Sequence, residues 1–206
     1  MTDSMKQDTP DTPASQRYTH TAVAALLGGA LIALGLHAAT AGDAGKSKAS
    51  AASQLERGQY LVAIGGCNDC HTPLKMGPHG PEPDMTRMLS GHPEGLTMPP
   101  APKLPEGPWV SIGSGTNTAF AGPWGVSFAI NLTPDKETGL GAWDEKAFVS
   151  ALRTGKHLGA GRPIMPPMPW PAYRNMTDED LQAVYAFLRT VPPIKNRIPD
   201  VVLPAK

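Results

Sequence analysis

Cysteine is nearly absent, with two residues in 206, at positions 67 and 70. One pair allows a single disulfide or half of a zinc site, and no second Cys pair or spaced His pair completes the four ligands of the latter. Net charge is absent too. Eighteen Lys and Arg balance eighteen Asp and Glu, which leaves no basic footprint for nucleic acid and no strong field to steer partners. No internal repeat occurs, and no alternating apolar–polar run is long enough to announce a strand. A thioredoxin-type C-x-x-C belongs near a βαβ pattern, and that pattern is missing as well.

Proline and glycine are abundant, at 23 and 22 residues, so much irregular backbone is expected. Residues 21–36, TAVAALLGGALIALGL, are uncharged and almost wholly apolar. Extended to Gly42, the run reaches the roughly 20 residues that cross a bilayer. Ala39-Thr40-Ala41 would serve as a small-x-small cleavage site, yet the leader before the run is long and nearly uncharged in sum. The expectation is a tail over residues 1–20 and a membrane anchor or signal peptide over residues 21–41. The remainder is then exported, held on the periplasmic side of the bacterial inner membrane or soluble in the periplasm if cleaved after Ala41.

Residues 42–50 are small and polar and read as a linker. A domain over residues 51–199 and a short tail over residues 200–206 follow. Within the domain, a helix runs from Ala51 to the paired glycines Gly65-Gly66. Residues 72–134 hold twelve prolines and few helix signals, and read as one long loop. Trp109, Phe120, Trp124 and Phe128 argue that this loop is ordered. Asp144 can cap a helix that stops at Gly155 with Phe148, Ala151 and Leu152 on one face. Thr177 and Asp180 open a last helix striped by Leu181, Val184, Tyr185 and Leu188, ended by Pro192-Pro193. The expected class is all-α, a single domain with a long Pro/Gly-rich loop, preceded by the membrane-spanning or signal helix.

Cys67-Asn68-Asp69-Cys70-His71 is the C-x-x-C-H signature of covalent haem attachment. One helical turn separates the thiols, so both can form thioethers to vinyl groups on one edge of a porphyrin, while His71 falls beneath the iron as an axial ligand. One motif implies one haem c. Such thioethers are made outside the bacterial cytoplasm, which agrees with export. A second axial ligand is commonly Met. Met165 and Met168 stand apart from the other methionines because they lie in Arg162-Pro-Ile-Met-Pro-Pro-Met-Pro-Trp170, whose prolines stiffen the backbone. The residues alone do not choose between them. Arg162 is a candidate partner for a haem propionate, and Trp109, Trp124 and Trp170 are candidates for the haem crevice or for ordinary core. His79, His92 and His157 read as surface or loop histidines.

The chain resembles class I cytochromes c, especially the haem domains in cytochrome subunits of bacterial membrane-bound dehydrogenases. The resemblance runs from about Gln54 to Pro199. Besides the helix and C-x-x-C-H, it rests on Asn131-Leu132-Thr133-Pro134-Asp135, Thr138-Gly139-Leu140-Gly141, Trp143, Ala151-Leu152-Arg153-Thr154-Gly155, Met168-Pro169-Trp170 with Tyr173, and Met176-Thr177-Asp178-Glu179-Asp180-Leu181. It implies that first and last helices cross near Gly58 and Tyr185, and that Met168, before Pro-Trp, is the sixth iron ligand. Those subunits often carry three haems; this chain has one motif. The function expected is single-electron transfer between redox partner proteins, a dehydrogenase or a terminal oxidase. A haem enzyme or gas sensor with an open distal site is the competing class.

Overall fold

Glycines fix the geometry where the first helix meets the motif. The computed structural model describes residues 41–204. Helix α1 spans Ala41–Ile64, taking in residues 42–50, and breaks at Gly65 and Gly66. Gly66 adopts φ 67°, a left-handed conformation that costs glycine little, and turns the chain into α2, Cys67–His71.

The expected helices are present with the expected caps. In α3, Glu145–Thr154, the Asp144 carboxylate accepts from the Ala147 N–H at 2.7 Å, and Gly155 ends the helix at φ 67°. After a short turn of helix, α4, Trp170–Tyr173, comes α5, Asp178–Leu188, capped by Thr177, whose hydroxyl accepts from the Asp180 N–H at 3.1 Å. Leu61 and Val62 of α1, Phe148 and Leu152 of α3, and Leu181, Val184 and Leu188 of α5 form one buried cluster. Helices α1 and α5 cross where a Cβ on Gly58 would overlap the Ala183 carbonyl. Arg57 closes this crossing with two hydrogen bonds to the Asp180 carboxylate, at 2.8 and 3.1 Å. Tyr185, two residues along α5 from that contact, donates its hydroxyl to the Trp143 carbonyl at 2.8 Å.

The all-α expectation is overturned between residues 72 and 134. That segment holds two antiparallel sheets rather than one loop. Strands β1, Leu74–Gly77, and β2, Gly80–Pro83, form a hairpin. Strands β3, Ile112–Gly113, β4, Ala119–Gly122, and β5, Gly125–Phe128, form a sheet in that order. Strands of two to four residues are too short to leave an alternating pattern. Pro81 and Pro83 also disguise β2, which tolerates them because each of its two strands is an edge. Gly125, at φ 95°, turns the second hairpin and lets the chain near its C-terminus pass close. Val126 and Val202 exchange backbone hydrogen bonds of 2.7 and 2.9 Å there.

No helix among the described residues is long and apolar enough to cross a membrane. The uncharged run proposed as an anchor or signal, residues 21–41, lies outside the described residues save for Ala41, which begins α1.

Candidate functional site

Helix α2 is a single turn, and it sets Cys67 and Cys70 on one face at i, i+3 spacing. Both thiols are free. Burial pushes the Cys67 thiol up to about 11, and burial followed by the nearby Asp69 carboxylate raises Cys70. Protonated thiols are poor nucleophiles, which weakens any reading of the pair as a reactive dithiol. Among the described residues there is no group of three or more His, Cys, Asp or Glu able to hold a metal ion, so the pair has no zinc-site companions either.

His71 is buried, and its Nδ1 lies 2.7 Å from the Ile130 carbonyl. A carbonyl can only accept, so Nδ1 carries the hydrogen and Nε2 keeps its lone pair. Burial holds the imidazole below its ordinary pKa, outweighing the opposite effect of this hydrogen bond. The ring is therefore neutral with Nε2 available as a ligand, the arrangement expected of a metal-binding histidine. The backbone around it is pinned: the Gly91 N–H donates to the His71 carbonyl at 2.7 Å, and Thr72 Oγ1 to the Asn68 side chain at 2.8 Å.

Cys67, Cys70 and His71 line a mostly apolar cavity of about 340 Å³. Met165 and Met168 both line it as well, so the structure brings together the residues proposed to attach the haem or ligate its iron without choosing between the methionines. Helical walls come from Phe148 and Leu181, with Trp143 just ahead of α3; the remaining walls include Phe120, Ser127 and Phe128 of the β4–β5 hairpin. Tyr173 links the methionine segment to the motif by donating its hydroxyl to the Gly65 carbonyl, and burial pushes that hydroxyl up to about 12. Two neutral thiols, an imidazole with a free Nε2, and thioether sulfurs around an apolar slot fit a covalently held haem.

The other candidates separate. Arg162 and His157 reach the cavity lining together, and the His157 ring meets the Trp143 ring edge-on at 4.9 Å. Burial, then the Arg162 charge, depresses His157. Trp109 is 74% exposed, and neither it nor Trp124 nor Trp170 lines the cavity; Trp143 is the tryptophan there. His79 is exposed in the β1–β2 turn. His92 is fully buried rather than at the surface, with Nδ1 2.9 Å from Thr118 Oγ1 and Nε2 2.9 Å from the Leu96 carbonyl. Ser127 and Ile130, which supply part of one wall and the carbonyl that orients His71, carry no sequence signal of a site, and Phe120 and Phe128 signal only an ordered segment.

Comparison with known proteins agrees with this geometry. No protein-family model matches the chain. A component of nicotinate dehydrogenase from Pseudomonas putida is 30% identical over 148 residues, covering 72% of this chain and 9% of that protein. The cytochrome c subunit of alcohol dehydrogenase (quinone) from Gluconobacter oxydans is 30% identical over 175 residues, 84% of this chain and 29% of that one. The chain is a homologue of dehydrogenase cytochrome c subunits. Another of these subunits, from the gluconate 2-dehydrogenase of Pantoea cypripedii, is 29% identical over 73% of this chain and 26% of its own length. The chain thus spans less than a third of the length of each of these relatives. As their homologue it carries C-x-x-C-H once.

Proposed function

We propose that this chain is a monohaem c-type cytochrome that passes single electrons between a dehydrogenase and the next carrier of a respiratory chain, on the periplasmic side of a bacterial inner membrane. The observation that carries the reading is the neutral, carbonyl-oriented His71 beside two thiols one turn apart, all opening on one apolar cavity. The homology to dehydrogenase cytochrome c subunits supports the donor class. The export side follows from the chemistry of thioether attachment, which bacteria carry out beyond the cytoplasm.

Haem c, when bound, supplies a reversible one-electron iron couple. Cys67 and Cys70 would hold it by thioethers, and His71 Nε2 and Met168 would ligate its iron. The Ile130 carbonyl fixes the His71 tautomer and ring, and makes the imidazole a better donor. Phe120, Phe128, Trp143 and Leu181 keep water from the site and so lower the local dielectric. A thioether as second ligand favours the reduced state and closes the iron to small molecules, which separates an electron carrier from a haem enzyme or sensor.

The test is spectroscopic. Protein produced with a c-type maturation system should keep its haem through denaturation and acid-acetone extraction. It should be low-spin in both oxidation states and bind carbon monoxide slowly when reduced. Rapid carbon monoxide binding to undamaged protein would move it to the sensor or enzyme class.

A further inference from the structure

The methionine segment is held from outside by very little. Residues 165–169, Met-Pro-Pro-Met-Pro, contain three prolines that cannot donate, and the Met168 N–H is spent within the segment on the Met165 carbonyl at 3.3 Å. Upstream the chain is fastened where the Ile164 N–H meets the Gly155 carbonyl at 2.7 Å. Downstream it is fastened through α4 and Tyr173. Between these points, among the described residues, one hydrogen bond reaches the segment from elsewhere in the chain. It runs from Ser127 Oγ to the Pro166 carbonyl, at 2.5 Å.

Ser127 is well suited to that task. It is 5% exposed, sits on β5 and lines the cavity. Trp124 Nε1 donates to its oxygen at 3.3 Å, so the hydroxyl is turned to donate outward. It has one hydrogen and two candidate acceptors, the Pro166 carbonyl at 2.5 Å and the Phe120 carbonyl at 3.4 Å; the nearer takes it. Because proline fixes φ on both sides of the bond, holding the Pro166 carbonyl holds Met165 and Met168 together.

The geometry points to Ser127 as a positioning residue, a clamp by which the β4–β5 hairpin holds the Met165–Met168 segment over the haem cavity and keeps the iron closed to foreign ligands. It acts through the segment, its hydrogen bond going to a proline carbonyl. The inference rests on the reading that this segment supplies the sixth ligand, and it holds whichever methionine does so. It also gives the inserted sheet a role in the redox site beyond covering the core.

The experiment uses the full chain with haem attached and measures imidazole binding to the oxidised iron, carbon monoxide binding to the reduced iron, and thermal unfolding. Ser127→Ala should raise imidazole affinity about five- to tenfold, the loss of one buried hydrogen bond, and make carbon monoxide binding faster, while the unfolding temperature falls by no more than about 4 °C. Ser127→Thr, which restores the hydroxyl, should return both towards the parent values. Met168→Ala and Met165→Ala serve as the reference. If one of them opens the iron while Ser127→Ala leaves imidazole affinity within about twofold of the parent, the clamp is wrong and the ligand reading stands. If neither methionine replacement opens the iron, the ligand reading falls and the clamp with it. If Ser127→Ala loosens the iron but an equally stable Ser127→Thr, which carries the hydroxyl again, does not tighten it, the hydroxyl is not what holds the segment, and the clamp is overturned.

Discussion

The helical frame and the inserted sheets solve the same problem by different means. Helices α1, α3 and α5 bury whole faces against one another and draw their caps from their own neighbours, Asp144 and Thr177. The segment from Thr72 to Pro134 buries few large side chains and is organised by polar bonds instead. Thr72 Oγ1 receives the Leu89 N–H at 2.9 Å. Asn196, also buried, donates to the Ser90 and His92 carbonyls at 2.7 and 2.8 Å, tying the insert to the chain beyond α5. Apolar burial stabilises the frame and is roughly indifferent to direction; the hydrogen bonds of the insert fix orientation. The frame supplies the attachment motif, and the insert supplies the carbonyl that aims His71.

The sharpest way to break the comparison is at the motif. Replacing Cys67 and Cys70 together with Ser should abolish covalent haem completely, seen as loss of haem staining on a denaturing gel. Retention of staining would mean that attachment does not use this pair. The next test is at the helix crossing. A Cβ at Gly58 has no room against the Ala183 backbone and would also press on Phe187 Cβ, so Gly58→Ala must push α1 and α5 apart. We expect about 3 kcal/mol of lost stability, the upper end for overpacking, in one global transition followed by circular dichroism.

Gly125→Ala is the matching test in the insert. The residue sits at φ 95°, and a Cβ there would overlap the Val202 carbonyl. Here the obstacle is a single backbone bridge rather than a packed helix crossing, so the damage should stay local. The expected cost is about 2 kcal/mol, from backbone strain and the lost Val126–Val202 pair. Hydrogen exchange should accelerate at Val126 and Val202 while α1, α3 and α5 keep their protection. Equal loss of protection in the helices would show that frame and insert unfold as one unit.

These contrasts explain what could be read from the chain. Helices announce themselves by stripes such as Leu181, Val184 and Leu188 and by capping residues a few positions away, so information and structure share one short window. The C-x-x-C-H geometry is local for the same reason. The strands are legible in neither way: Gly80–Pro83 reads GPEP, and its pairing with Leu74–Gly77 is decided by a two-residue turn. The contribution of Ile130 to His71 spans 59 residues, and that of Ser127 to Pro166 spans 39. No periodicity encodes a single hydrogen bond over that distance. The candidacy of Trp109, Trp124 and Trp170 for the crevice failed because an aromatic side chain says that it will pack, not where.

The smallest expected effect is a pH dependence that belongs to the insert. His92 is buried with both ring nitrogens engaged, and its ring packs on Phe128 at a centroid distance of 4.9 Å. The Leu96 carbonyl can only accept, so Nε2 carries the hydrogen, and in the neutral ring Nδ1 accepts from the Thr118 hydroxyl. Thr118 in turn contacts Thr116 Oγ1 at 2.8 Å, and Thr116 contacts Ser114 Oγ at 3.0 Å. Protonation of Nδ1 would bring a second donor against this hydroxyl chain and a charge into a dry site; burial accordingly holds His92 below its ordinary pKa. Because the folded pKa is the lower one, the unfolded chain takes up the proton first as pH falls. Stability should therefore be flat above the unfolded value of about 6.5 and decline below it, by at most about 1.4 kcal/mol per pH unit from this residue. The decline ends once pH passes below the folded pKa. His71 and His157 are depressed in the same direction, so the parent protein alone does not isolate His92. His92→Gln keeps polar atoms near Thr118 and Leu96 without a titrating group, and should reduce the slope of stability against pH between about 6.5 and about 5. Denaturant titrations at several pH values check this, and an unchanged slope would show that His92 does not carry the dependence.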